Sequence, residues 1–178
     1  VCRLMPFWLR NLADNQIVPA AVLVTRSPFE VARSLTARDG VGMEHALLMW
    51  LRHVLEIEIH TRTIKRCIVR YSHLLADWRA VAERVGAAIG VDWPERTPET
   101  DADISAFLRP ELRHHIVPNG PVSVPPPLAE WVRRVNEALD ELCRNGSHVP
   151  GALRILDEVR HDFDRACEVF GPPFEEEA

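Results

Sequence analysis

The stretch Ala21-Val-Leu-Val-Thr-Arg26-Ser27-Pro28-Phe-Glu30-Val-Ala-Arg33-Ser34-Leu35 leaves this chain few ways to fold. Ala21 to Val24 is a short, unbroken, β-branched-rich apolar run, the pattern of a strand covered on both faces. Ser27 is a good N-cap, Pro28 suits the first helical position, and Glu30 stands three residues after the cap, so the sequence predicts a capping box with a proline start. A strand that turns directly into a helix offers free backbone N–H groups and the positive end of the helix dipole at its tip. Arg26 adds a planar, permanently charged fork that matches phosphate oxygens. Ser34 follows Ser27 by two helical turns, which puts both hydroxyls on one face. Together these features predict an anion site.

The rest of the chain supplies mostly helices. Leu4, Met5, Trp8, Leu9 and Leu12 form a helical stripe, read as a core helix over residues 2–14. The helix from Pro28 stops at Asp39-Gly40, and a long one runs from Met43 to about His60. Arg66-Cys67-Ile68-Val69-Arg70-Tyr71 reads as a second strand, parallel to the first through a helical crossover. Ligands in such sheets bind beyond the carboxyl ends of the strands, and that rule brings Arg26 and Tyr71 to one edge. Asp77 caps the following helix and Gly90 ends it. Residues 94–103 read as a polar connector, followed by a short helix from Ile104 to Leu108. A proline-rich loop from Pro118 to Pro127 leads into two amphipathic helices joined by a short turn, an antiparallel pair whose packing partner the sequence does not choose.

Charge and composition exclude several functions. A formal net charge of −5 argues against a general nucleic-acid binder. No apolar run approaches the length of a membrane span, and no basic segment followed by an apolar one marks an export signal. Cys2, Cys67, Cys143 and Cys167 form no C-x-x-C pair, so they read as reduced core cysteines of a cytoplasmic protein. His45, His53 and His60 do not share one face and no H-E-x-x-H occurs, so no metal site is expected.

Four segments carry a family resemblance. Arg26-Ser-Pro followed by Ser34, eight positions after the arginine and behind an apolar strand, resembles the 3′-phosphate-binding segment of bacterial-type sulfotransferases that use 3′-phosphoadenosine 5′-phosphosulfate. The opening Val1-Cys-Arg-Leu-Met-Pro-Phe-Trp-Leu9, the strand end Val69-Arg-Tyr-Ser-His-Leu-Leu75, and Phe107-Leu-Arg-Pro-Glu-Leu-Arg113-His114-His115 are similar to segments of the same family in the same order. The resemblance covers roughly residues 1–117. It implies an α/β fold with a parallel sheet of the phosphate-binding-loop, nucleoside-triphosphate-hydrolase-like type, truncated and mostly helical here, with residues 118–178 as a helical extension. It implies that Arg26 and Ser34 hold the ribose 3′-phosphate, that Tyr71 supports the adenine, and that Arg113 with His114 and His115 covers the phosphates. The family's usual Glu-Asp after the tyrosine is Ser72-His73 in this chain, and the glycine-rich R-K-G-x-x-G of cytosolic members is missing.

The resemblance further implies transfer of a sulfuryl group to a hydroxyl or amine of a small-molecule, glycan or lipid acceptor. The chain opens without Met and has only two strand-like segments, too few for a stable sheet. The expectation is therefore the C-terminal part of a longer protein, inactive by itself, with the general base and the phosphosulfate loop upstream of residue 1. No catalytic residue is named on this reading, and the oligomeric state is left open. Two alternatives stand beside it, a kinase-like nucleotide-binding protein of the phosphate-binding-loop type and a non-catalytic helical interaction domain.

Overall fold

The computed structural model describes residues 4–95, 97–108 and 124–170. Eight helices and two strands follow in the order α1 (Met5–Asp14), β1 (Ala20–Thr25), α2 (Pro28–Asp39), α3 (Met43–His60), β2 (Lys65–Arg70), α4 (Tyr71–Ala76), α5 (Trp78–Ile89), α6 (Pro98–Phe107), α7 (Pro126–Asn145) and α8 (Pro150–Phe170). The strands pair in parallel, from Ala20 opposite Lys65 to Thr25 opposite Arg70. The fold is thus a mostly helical α/β arrangement around a small parallel sheet. Among the described residues no helix is long and apolar enough to cross a membrane.

The layers follow from the period-two alternation of β2. Ile68 faces one large core, in which Leu23 of β1 and Ala32 of α2 meet Leu47 and Leu51 of α3, Val135 and Leu139 of α7, and Leu156 and Phe163 of α8. Cys67 and Val69 face the opposite way, onto Val81 and Val85 of α5. The stretch read as a helical extension thus puts α7 and α8 into the same core as β1, α2 and α3.

Arg66 and Arg70 share the Ile68 face and hold the C-terminal half of α7. Arg70 donates to the Asp140 carboxylate and the Asn136 carbonyl, and Arg66 donates to the Ser147 carbonyl just past the helix end. β2 therefore lies along the C-terminal half of α7, which runs antiparallel to it.

The base of this arrangement is an ionic knot inside the protein. The Glu58 carboxylate, only 1% exposed, accepts from Arg62 and from Arg66 Nη2 at 3.0 Å. Arg66 Nη1 donates to the Glu58 carbonyl at 2.7 Å, and Arg62 reaches Asp157 of α8 at 2.9 Å. Burial opposes the Arg62 charge, yet the hydrogen bonds to Glu58 and Asp157 hold its pKa above the ordinary arginine value. A charge this deep is tolerated only when paired and hydrogen-bonded, and here each guanidinium has a carboxylate.

Several expectations need correction. β1 is covered on one face only, since Val22 and Val24 are 44% and 55% exposed. Helix α1 contributes no buried residue, and Leu4 and Trp8 of the apolar stripe are exposed, so it is not a core helix. Tyr71 opens α4 rather than closing β2. The polar connector is partly helical, because Thr97 caps α6 by accepting from Thr100 N at 3.2 Å, with Pro98 in the first turn.

Other expectations hold. Asp77 accepts from Ala80 N at 3.0 Å, and Gly40 and Gly90 end their helices at φ +70° and +75°, in the left-handed region. Gly86 is needed for a different reason, since a Cβ there would stand 2.7 Å from the Val91 carbonyl oxygen.

The two helix environments predict opposite outcomes. Leu139→Ala empties a fully buried α7 site and is expected to cost about 2–5 kcal/mol in urea unfolding. Trp8→Ala on the exposed α1 stripe is expected to change stability by no more than about 0.5 kcal/mol. Equal losses would contradict the assignment of the core.

Candidate anion-binding site

The parallel register sets the site. Thr25 and Arg70 are opposite one another, so Arg26 and Tyr71, next along each chain, emerge side by side at the carboxyl ends of the strands. The Arg26 guanidinium stands 5.3 Å from the centre of the Tyr71 ring, within cation–π range. Beside it is a concavity of about 190 Å³. The β1–α2 turn contributes Thr25, Arg26, Ser27 and Glu30 to its lining, the β2–α4 turn Arg70, Ser72 and His73, and α7 Asn136 and Asp140.

The charges of this site are balanced internally. Arg26 Nε donates to Glu30 Oε2 at 2.8 Å, and Glu30 is buried. Arg70, itself buried, donates to Asp140 Oδ1 at 2.5 Å. Two arginines thus face two carboxylates, with His73 beside them. The capping box expected from Ser27 and Glu30 does not form, because Ser27 makes no side-chain cap hydrogen bond and Glu30 turns to Arg26. An ion pair with a guanidinium is stronger than a hydrogen bond to a neutral backbone N–H, which explains the exchange.

Two polar atoms of the lining residues are buried without a partner, Arg26 Nη2 and Asn136 Oδ1. Unmatched buried donors and acceptors are costly. Arg26 Nη2, with the uncommitted Ser27 hydroxyl and the start of α2, leaves donor capacity for an oxyanion, whereas Asn136 Oδ1 can only accept. The volume suits one phosphoryl group and adjoining water rather than a whole nucleotide. Among the described residues no hydrogen bond joins His73 to Ser27 or Ser72, and His73 Nδ1 lies instead 3.9 Å from the Cys143 sulfur. No group of three metal-ligating side chains occurs among them either.

Of the residues picked from the sequence, Arg26 lines the concavity and Tyr71 touches Arg26. Ser34 is half-buried on α2 and is not part of the lining. Arg113 and His114, with His115, lie outside the described residues. Sequence reasoning missed Arg70, Asn136 and Asp140. The period-two pattern of β2 signals the inward placement of Arg70, whereas nothing local signals that α7 returns to this edge. Ser72 and His73, read as a departure from a family motif, both line the concavity.

Comparison of the chain with protein-family models, with curated proteins and with solved structures finds no match.

The internal ion pair makes a prediction. Glu30→Gln removes the carboxylate that competes for Arg26, so affinity for inorganic phosphate is expected to rise several-fold by isothermal titration. The same change leaves a part-buried arginine without its counter-charge and is expected to cost about 1–3 kcal/mol of stability. Unchanged or weaker phosphate binding in a folded variant would contradict the role given to Glu30.

Proposed function

We propose that this chain is the nucleotide-holding, C-terminal portion of a sulfotransferase that uses 3′-phosphoadenosine 5′-phosphosulfate. The observation that carries the reading is the meeting of Arg26 and Tyr71 beside a phosphate-sized concavity at the carboxyl edge of a parallel sheet. Those are the residues, and that is the edge, for which the four-segment resemblance implies 3′-phosphate and adenine contacts. On this reading the 3′-phosphate enters against the start of α2, takes Arg26 Nη2 and the Ser27 hydroxyl, and displaces part of the Arg26–Glu30 pairing. Tyr71, which carries the Arg26 guanidinium on its ring, then presents the same aromatic surface near the adenine. Ser34 joins only if the phosphate reaches further along α2 than the concavity does.

Sulfuryl transfer, like phosphoryl transfer, relies mainly on positioning and on stabilising charge at the in-line oxygens. The residues of this chain supply the positioning half, by binding the end of the donor that does not react. The acceptor on this reading is a hydroxyl or amine of a small molecule, glycan or lipid. The wider fold is a phosphate-binding-loop-type sheet with further strands, and the compartment is the cytoplasm, consistent with the free, buried Cys67 and Cys143.

One observation favours a second reading. Arg26 is engaged by an internal carboxylate, as in a plain helical interaction domain. Against it, the apolar stripes of α7 and α8 are buried in the core rather than offered to a partner.

Thermal melting with 3′-phosphoadenosine 5′-phosphate and with 5′-AMP separates these readings. Stabilisation by the 3′-phosphorylated nucleotide alone, lost in Arg26→Ala, is the expected result. An equal response to both nucleotides supports a general nucleotide binder, and no response to either supports the interaction domain.

A further inference from the structure

At the opposite end of the sheet from Arg26, where β2 begins and α7 ends, is a second concavity of about 350 Å³. Its cationic lining comes from four elements: Lys65 and Arg66 of β2, Arg84 of α5, Arg144 in the last turn of α7, and His148 in the turn before α8. No Asp or Glu is among its described lining residues, although the chain as a whole carries a net charge of −5.

The partners of these cations set the place apart. Arg26, Arg52, Arg62, Arg66 and Arg70 each have a carboxylate. Half-buried Arg84 has none among the described residues. It donates to the Cys143 carbonyl at 2.7 Å and the Ile68 carbonyl at 3.4 Å, and lies 3.6 Å from the Cys143 sulfur. Neutral carbonyls satisfy its N–H groups and cap the end of α7, but they do not neutralise its charge. Lys65, Arg144 and His148 are exposed and have no ion-pair partner among the described residues.

Cys67 adds no negative charge, since burial pushes its thiol pKa up against the opposing effect of Arg84. A second sign is independent of surface charge. The Arg66 side chain is 0% exposed, lines this concavity, and keeps Nε without a hydrogen-bond partner.

We propose that this concavity binds a small phosphorylated molecule, its phosphoryl oxygens taken up by Arg84, Lys65 and Arg144. Guanidinium forks and an ammonium group converging from separate elements form charge-assisted hydrogen bonds to such oxygens. Ile68 and Leu142 in the same lining give the remainder of the molecule an apolar wall. The volume admits more than one phosphoryl group, so the site suits a ligand of two or more negative charges. It stands apart from the Arg26 site and does not depend on the sulfotransferase reading.

The test is calorimetric titration of the full chain with inorganic pyrophosphate at constant ionic strength, with sodium chloride and sodium sulfate as reference arms. Saturable pyrophosphate binding is expected, weakened about tenfold or more by Lys65→Glu with Arg144→Glu, as loss of two charge-assisted contacts implies. The pair Lys65→Gln with Arg144→Gln should weaken it less, in the same direction. Because the Arg26 site is itself read as taking phosphate, the titrations are repeated in the Arg26→Ala background, where the Lys65 and Arg144 changes should weaken the remaining binding to the same extent. Both replaced residues are exposed, so the variants are expected to keep the fold, and circular dichroism checks that they do. Four outcomes would overturn the proposal: no saturable binding, the same response to chloride, sulfate bound as tightly as pyrophosphate, or a loss that follows Arg26→Ala instead of the Lys65 and Arg144 changes.

Discussion

The parallel register of β1 on β2 is the constraint from which the rest of the structure follows. Because Thr25 lies opposite Arg70, the chain leaves both strands at the same level, and Arg26 meets Tyr71 without any long loop to guide it. A slip of one residue would reverse the facing of every β2 side chain. Arg66, Ile68 and Arg70 would turn away from α7, and Cys67 and Val69 would meet it instead. The large core fixes the register from one side and the smaller Val81–Val85 cluster from the other. Strand pairing thus positions two concavities, one toward each end of β2.

Within that frame, the arginines are partnered in two different ways. Glu58 answers Arg62 and Arg66 in the interior, where an unpaired charge would be costly, and the pairing links α3, β2 and the α7–α8 turn. Asp140 does the same for Arg70, and Glu30 for Arg26. The last two pairs border a concavity, so an incoming anion competes with them rather than meeting bare cations. That competition favours ligands of high charge density over singly charged ones. Arg84 follows another rule, with carbonyls as its partners and no carboxylate among the described residues.

Much of this was legible in the sequence wherever a local rule was strong. Both strands, the long helices and the Asp77 cap follow from apolar periodicity and capping chemistry, and the Arg26–Tyr71 edge follows from parallel strands. What failed were inferences that require knowing what lies opposite. A stripe such as Leu4-Met5-Trp8 shows that one helical face is apolar without showing what covers it. The run Ala21–Val24 reads as doubly covered, because β-branched residues in a half-exposed strand look the same. The Ser27–Glu30 pattern is a genuine capping signature, defeated by a stronger local partner in Arg26. Asn136 and Asp140 were illegible because they join the site only through the antiparallel return of α7, more than 60 residues along the chain.

The most direct test of the central claim is a crystal structure of the chain grown with 3′-phosphoadenosine 5′-phosphate. The account predicts density for the 3′-phosphate at the start of α2, within hydrogen-bond distance of Arg26, with the adenine near Tyr71. Arg26 still fully paired to Glu30, with the nucleotide bound elsewhere or not at all, would contradict it.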